Sequence, residues 1–250
     1  MARARPLFVI LSCEHGGNRV PPRYAGLFAR AAAELQSHRA YDRGALAVAR
    51  ALARRLRAPL HSATVTRLLV DLNRSPHHPR VLSDFSRTLP PPARAALMAR
   101  HYHPHRDAVE AAIAAAIGSG ARVLHVAIHS FTPVLDGQAR GADIGLLYDP
   151  AHRFERELCR RWASALGAAQ EGALRVRRNY PYRGASDGLA TWLRRRLPAR
   201  QYAGIELEIN QRLLLTAADT ARVARIVDSA LRVAMNCSRD AAVRRISGGA

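Results

Sequence analysis

Short apolar runs alternate along the chain with longer stretches of helical periodicity, and this alternation is the strongest constraint on the fold. Strands are predicted at residues 7–13, 65–72, 122–128, 143–148 and 204–209. Helices are predicted at residues 25–36, 42–57, 93–117, 153–166, 187–197 and 219–235. Strands separated by helices are typical of an α/β sheet with helices on both faces.

The sequence contains no internal repeat and no clear linker, so we expect one domain over residues 1–250, with a core at about 7–236 and a frayed tail at 237–250. Hydrophobic residues make up 48% of the chain, which is ordinary for a globular protein. No apolar run reaches the roughly 18 residues that a membrane helix needs. Glu14 and His15 interrupt the first apolar run, which argues against a signal peptide and predicts a cytoplasmic protein.

The net charge of +20 comes from arginine alone, because the chain has no lysine among its 39 basic residues. The missing lysine excludes Schiff-base and P-loop chemistry. The positive field attracts anions, so nucleic-acid binding is an alternative function. Against that alternative, no nucleic-acid-binding motif is present, and aromatic residues, which provide stacking platforms, make up only 6% of the chain.

Polar and ionisable residues follow four of the predicted strands. They occupy residues 14–18, 71–74 and 129–131, and the last strand carries Glu206 and Glu208. Ligands of open α/β sheets bind at the carboxyl ends of strands. We therefore expect these groups to converge at one edge of the sheet.

His15 and His129 are the candidate metal ligands at this edge. Neutral imidazole suits zinc, and a catalytic zinc usually keeps three protein ligands and one open position. Asp42 is a candidate third ligand, although its place at the start of a helix also suits an N-cap. Glu14 and Asn18 are the competing candidates.

Glu206 and Glu208 lie two residues apart on a predicted strand, so their side chains face the same side. A carboxylate beside a metal site can act as general base and then as general acid. The alternative interpretation is an edge strand with a solvated acidic face.

Several residues could bind an anionic substrate. Asn73 and Arg74 follow a predicted strand, and the planar guanidinium of arginine matches a carboxylate. Arg140 and Arg183 lie in glycine-containing loops and could do the same. The hydroxyl of Tyr182 could close on the substrate, or the ring could merely pack. A further group of histidines, at 101, 103 and 105, could contact the site.

The chain resembles the N-formylglutamate amidohydrolase family from about residue 8 to residue 214. The resemblance rests on an ordered set of motifs at residues 12–18, 41–44, 70–74, 128–131, 143–148, 179–182 and 208–210. It implies a three-layer α/β/α domain with a mixed, mostly parallel sheet, similar to zinc carboxypeptidases. It also implies metal-dependent hydrolysis of N-formyl-L-glutamate to L-glutamate and formate, a small anionic substrate and a place in histidine degradation.

The resemblance also implies roles for individual residues. His15 and His129 would be metal ligands, Glu208 the general base, and Asn73 with Arg74 the pair that holds the substrate carboxylate. The expected cofactor is one divalent metal ion, zinc by preference.

Related enzymes often carry a His-x-x-Glu ligand pair, whereas this chain has Asn18 at the place of the glutamate. We therefore assign the remaining ligand position to Asp42, and expect Arg140 and Tyr182 to assist substrate binding. Another N-acyl amino acid or a peptide-like amide is the alternative substrate on the same fold.

Overall fold

The computed structural model describes residues 6–169 and 174–247, with side chains described as far as residue 236. Six of its strands form one sheet in the order β2-β1-β3-β8-β6-β7, and the remaining two form a small hairpin. The strands are β1 (Leu7–Cys13), β2 (Leu60–Ser62), β3 (Arg122–Phe131), β4 (Val134–Leu135), β5 (Gln138–Ala139), β6 (Ile144–Leu147), β7 (Val176–Arg178) and β8 (Tyr202–Asn210).

Within the described residues, eight α-helices connect or follow these strands. They are α1 (Ala32–Gln36), α2 (Ala45–Leu56), α3 (Asp84–Arg87), α4 (Pro91–Leu97), α5 (His103–Gly118), α6 (Arg153–Gly167), α7 (Leu189–Arg196) and α8 (Ala217–Ser247). A π-helical segment, Met98–Tyr102, joins α4 to α5, and 3-10 helices occur at Pro22–Phe28 and Gln211–Leu213.

The sheet is mixed but mostly parallel, as predicted. β1 pairs in parallel with β2 and β3, and β3 pairs in parallel with β8. β6 runs antiparallel to β8 and parallel to β7. In this register His129 on β3 lies directly beside Glu208 on β8. Two predicted site residues therefore become neighbours through strand pairing alone.

Helices cover both faces of the sheet, which confirms the predicted three-layer α/β/α architecture. α2, α6 and α8 pack on one face, where Trp162 of α6 is completely buried. α5 and α7 pack on the other face, against Ile10 and Val123. Alternate residues of β8 enter the first core, so Glu206 and Glu208 point together to the face of α5 and α7.

The predicted strand at 65–72 is wrong. This segment forms turns, with only an isolated bridge between Arg19 and Val65, and the edge strand is β2 instead. Leu69 and its apolar neighbours pack into a separate cluster with Phe28 and Leu97. Periodicity cannot distinguish a short buried strand from other buried apolar segments, because both bury consecutive apolar residues.

Other boundaries also differ from the prediction. The predicted helix at 25–36 is present only in part, since a 3-10 helix ends at Phe28 and α1 begins only at Ala32. β7 and the β4–β5 hairpin were not predicted. α8 continues beyond its predicted end to Ser247, and residues 248–250 of the expected frayed tail lie outside the described residues.

None of the helices in the described part of the chain is both long enough and apolar enough to cross a membrane.

Candidate active site

A cavity of about 690 Å³ opens at the carboxyl ends of β1, β3 and β8. His15, Asp42, His129, Glu206 and Glu208 all line it, and we call these five residues the floor of the cavity. The predicted convergence of the strand ends is therefore present. The turn segment around Asp71 also reaches the cavity, although it is not a strand.

His15 follows β1 and is fixed by a carboxylate on its outer nitrogen. Its Nε2 lies 2.7 Å from Oδ1 of Asp71, which accepts the Nε2 hydrogen, so Nδ1 carries the lone pair that a metal ligand needs, and Nη1 of Arg67 lies 3.1 Å from that nitrogen. Gly16 permits this turn, because a β-carbon there would lie 2.8 Å from the carbonyl oxygen of Ala63. The turn therefore needs glycine for close approach of two backbone segments.

His129 has a matching arrangement near the end of β3. Its Nδ1 lies 2.9 Å from Oδ2 of Asp42, and its Nε2 lies 3.4 Å from Oε2 of Glu14. The other oxygen of Glu14 contacts His105 of α5 at 3.4 Å. Of the predicted histidine group at 101, 103 and 105, His105 thus reaches the residues behind the site. His101 instead lies beside Tyr24.

Asp42 is the carboxylate that lies between the two histidines. Its backbone N–H donates to the carbonyl of His15 at 2.9 Å, and its Oδ2 lies 3.5 Å from Nδ1 of His15. One ligand atom each from His15, Asp42 and His129 lies within 4.8 Å of the others, so this group could hold a metal ion. Of the competing candidates, Asn18 donates to the carbonyl of Leu35 instead.

The chemistry of this group fits a divalent metal. Two imidazoles and a carboxylate are typical ligands of catalytic zinc, and outer carboxylates on metal-ligating histidines set their orientation. Burial raises the pKa of Asp42, but Arg67 and the two histidines outweigh burial and hold the pKa well below its ordinary value. Burial likewise lowers the pKa of His129, but Asp42 and Glu14 raise it to about 10. The buried carboxylates of Asp42 and Glu14 therefore favour a positive charge between the two histidines.

Glu208 is the floor residue suited to proton transfer. Burial raises its pKa to about 7, with a smaller opposing effect from His129. Within the described residues, its buried Oε2 has no hydrogen-bond partner, so this oxygen is free to bind a water molecule or substrate. Gly145 lies beside it in the sheet, where a β-carbon would lie 1.9 Å from the carbonyl oxygen of Tyr180. The absence of a side chain at Gly145 of β6 therefore lets the loop at 179–182 pack against the sheet beside Glu208.

Glu206 shares the cavity, but its surroundings differ from those of Glu208. Burial raises the pKa of Glu206, and a hydrogen bond from Asn73 opposes that effect. The Asn73 side-chain oxygen also accepts from the backbone N–H of Leu189 at 2.7 Å. Asn73 therefore lines the cavity as predicted, and its amide also connects Glu206 to the start of α7.

Arg74 lines the cavity with its guanidinium partly exposed. Its Nε lies 3.8 Å from Asp71, and its Nη1 donates to the carbonyl of Asp187 at 3.3 Å. Tyr102 and Arg106 donate to the carbonyl oxygen of Arg74 at 2.6 and 3.0 Å. Side chains from the π-helical segment and α5 thus hold a turn that no strand pairing supports.

Arg67 is a cavity residue that sequence reasoning missed. Its Nη1 lies 3.1 Å from Nδ1 of His15, and its Nη2 lies 3.4 Å from Asp42. Nothing in the sequence distinguishes this arginine from 38 others, and it lies within the segment 65–72 that is predicted to be a strand. Its guanidinium places a fixed positive charge beside the candidate metal site.

Tyr182 lines the cavity, while Arg140 lies behind it and is not among the lining residues. The Nη1 of Arg140 donates to the Tyr182 hydroxyl at 3.2 Å, and its guanidinium lies 5.3 Å from the centre of the Tyr182 ring. Arg183 lines the cavity directly. Among the predicted substrate-binding residues, Arg140 alone does not line the cavity; it contacts Tyr182 instead.

Alternative nucleophiles are poorly arranged for catalysis. Ser130 donates its hydroxyl hydrogen to the carbonyl of Arg43 at 2.7 Å. Burial raises the pKa of the Cys13 thiol well above its ordinary value. Ser12 lies 2.7 Å from His125, but both side chains are completely buried and neither lines the cavity. Hydrolysis by an activated water molecule therefore agrees best with the site.

The sequence profile of the N-formylglutamate amidohydrolase family matches residues 7–215. The chain belongs to this family of amidohydrolases. The profile covers both histidines and both floor glutamates, and it confirms the resemblance seen in the sequence motifs.

Solved structures agree with the membership. Gene product Atu2144 from Agrobacterium tumefaciens is 32% identical, with a TM-score of 0.81 over 92% of this chain and 91% of that one. N-formylglutamate amidohydrolase from Ralstonia eutropha JMP134 is 20% identical, with a TM-score of 0.62 over 95% of this chain and 96% of that one. At that identity the likeness shows the fold. Among curated proteins, none matches the chain.

Proposed function

We propose that this amidohydrolase uses one divalent metal ion, zinc by preference, to hydrolyse the amide of a small N-acyl acidic amino acid. N-formyl-L-glutamate is the first candidate substrate, and L-glutamate and formate would be its products. The observation that carries this proposal is the group His15, Asp42 and His129, with Glu208 at the same end of the sheet. A cytoplasmic location and a role in histidine degradation stay predictions.

His15 and His129 would ligate the metal through Nδ1, and Asp42 through its carboxylate. When bound, the metal supplies Lewis acidity for the acyl carbonyl and lowers the pKa of water. Asp71 would orient the His15 imidazole from outside through its hydrogen bond to Nε2. This contact fixes the His15 ring before substrate arrives, while Glu14 places a negative charge 3.4 Å from Nε2 of His129.

Glu208 would act as the proton-transfer group. It accepts a proton from the attacking water and delivers it to the amide nitrogen as the carbon–nitrogen bond breaks. One water molecule is consumed, and an acid and a free amine are released. A pKa of about 7 suits both halves of this cycle near neutral pH.

Arg74 would hold a substrate carboxylate and orient the amide for attack. Arg67 lies closer to the candidate ligands and would stabilise negative charge that develops on the acyl oxygen. Tyr182 would contact the bound substrate from the exposed side. The arginines thus supply both orientation and charge.

The test combines metal analysis with a substrate panel. Protein purified without a metal-binding tag should contain about one zinc ion per chain and should release formate from N-formylglutamate. N-acetylglutamate and N-formylglutamine serve as matched substrates that change the acyl group or one carboxylate. Protein that neither contains nor takes up metal would contradict metal dependence, and metal-loaded protein inactive on every N-acyl amino acid would contradict the proposed reaction.

A further inference from the structure

Some of the arginines that line the cavity are exposed and form no ion pair within the described residues. Six arginines line it, and three of them have carboxylate partners at 3.4 to 3.8 Å. The other three are Arg39, Arg80 and Arg183, which we call the rim arginines. All three are exposed, and none forms an ion pair within the part of the chain that the structure describes.

Two rim arginines lie on the same side of the cavity as Arg74. Arg80 precedes Val81, whose carbonyl accepts from the backbone N–H of Asp71 at 2.8 Å. Arg183 belongs to a turn that continues to Asp187, and Asp187 accepts from both Ser75 and Arg74. The backbone at Arg80 and the turn that begins at Arg183 are therefore anchored to the segment that carries Arg74, and both side chains line the same cavity.

Arg39 lies on the other side, beside Arg67. Its backbone carbonyl accepts from Nε of Arg67 at 3.1 Å. The charge of the rim is thus concentrated around Arg74, where the amino-acid part of an N-acyl amino acid would lie. The acyl part would lie towards Arg67 and the candidate metal ligands.

The cavity is also large for a single small amino acid. Its volume of about 690 Å³ lies within the range of roughly 300–1,000 Å³ that is typical for drug-sized ligands. N-formylglutamate has its carboxylates within a few bonds of the amide. It is smaller than the ligands that cavities of this volume typically hold, so it would occupy only part of this one.

We propose that the preferred substrate is an N-acylated acidic dipeptide, whose second residue carries carboxylates that bind Arg80 and Arg183. This inference rests on the proposed amidohydrolase function and extends it to a particular leaving group. Water adds to the acyl carbonyl, the carbon–nitrogen bond breaks, and the dipeptide leaves with a free amino group. The first carboxylate would bind Arg74 and the outer ones the rim arginines, as planar guanidinium groups favour.

The test compares two matched substrates, N-formyl-glutamyl-glutamate and the uncharged-end analogue N-formyl-glutamyl-glutaminamide. The wild-type protein, loaded with zinc, should prefer the charged substrate by about tenfold in kcat/KM. The double variant Arg80→Ala, Arg183→Ala should reduce that ratio towards one. The ratio should also fall as salt is added, because the contacts are exposed.

Arg200→Ala is the control, since Arg200 is exposed at the amino end of β8, opposite to the cavity. This variant should keep the wild-type ratio. A wild-type ratio near one with turnover of N-formylglutamate would overturn the inference while leaving the proposed function intact. A high ratio that persists in the double variant would overturn the assignment to these two arginines.

A binding measurement can test this inference even if the proposed hydrolysis does not occur. If no formylated substrate is hydrolysed, calorimetry with glutamyl-glutamate and glutamyl-glutaminamide still tests the rim. Tighter binding of the charged dipeptide by the wild-type protein, and not by the double variant, supports the inference. Equal affinities for both dipeptides overturn it.

Discussion

The floor and the rim of the cavity are built in opposite ways. Three floor residues, His15, Asp42 and His129, are each at most 4% exposed and contact one another or a buried carboxylate. The rim arginines are exposed and lie in loops. Chemistry that needs fixed geometry occupies buried positions at the ends of strands or, for Asp42, just before α2, whereas groups that select a substrate lie where sequence change costs little stability.

This contrast predicts that changes on the floor abolish function, while changes near the rim alter substrate preference. Removal of a floor ligand should have the largest effect. His129→Ala should reduce bound zinc from about one ion per chain to near zero, because two protein ligands rarely hold zinc. Elemental analysis measures this directly, and His101→Ala is the control. Unchanged metal content in His129→Ala would remove this residue from the ligand set.

Loss of the proton-transfer group should separate catalysis from metal binding. Glu208→Gln keeps the size of the side chain and should lower kcat by about 10²- to 10⁴-fold, the usual contribution of general acid–base catalysis. Zinc content should stay at the wild-type level. Near wild-type turnover in this variant would show that another group accepts the proton.

The carboxylate behind His15 should have a smaller effect. Asp71→Asn keeps the shape but weakens the contact at 2.7 Å that orients the imidazole. Affinity for zinc should fall by about 10- to 100-fold, as is common when outer carboxylates are lost. Competition with a chelator measures the change. The control is Asp84→Asn, an exposed carboxylate that lines the cavity and pairs with Arg87, which should leave zinc affinity as it was.

Activity should also depend on pH through Glu208. Burial raises its pKa to about 7, and only the deprotonated carboxylate can accept a proton from water. Therefore kcat/KM should rise with pH up to about 7 and fall about tenfold per unit below it. The raised pKa has the opposite effect on stability, since its contribution is present below the unfolded pKa and is lost as pH rises through 7. Metal-free Glu208→Gln should consequently lose less stability than the wild type between about pH 5 and pH 7, as measured by melting temperature.

The sequence predicted the fold class and most of the floor, because these depend on local pattern. Apolar runs identified β1, β3 and β8, and residues at their ends reached one cavity. The period of two along β8 correctly placed Glu206 and Glu208 on one face. Asp42, which was assigned the remaining ligand position because Asn18 stands in place of the glutamate of the family's ligand pair, lies with the two histidines.

The remainder depends on contacts between distant segments. The segment at 65–72 has the apolar pattern of a buried strand, because its residues are buried in a separate apolar cluster although they form turns. Arg67 enters the site through those turns, and no local signal distinguishes it. The pairing of Glu14 with His105 joins segments that are 91 residues apart in the chain. Such contacts follow from the packing of α5 on the sheet.

Substitution of Arg140, which belongs neither to the floor nor to the rim arginines, should have the smallest effect on activity. Arg140 contacts the Tyr182 hydroxyl and ring rather than the cavity. Arg140→Ala should therefore raise KM by about two- to fivefold with little change in kcat, the range of an exposed cation–π contact. Steady-state kinetics on N-formylglutamate separates the two parameters, with Tyr182→Phe removing only the hydrogen bond. A fall in kcat of the size expected for Glu208→Gln would mean that Arg140 contacts the reacting group. Catalysis would then depend on a residue outside the floor of the cavity.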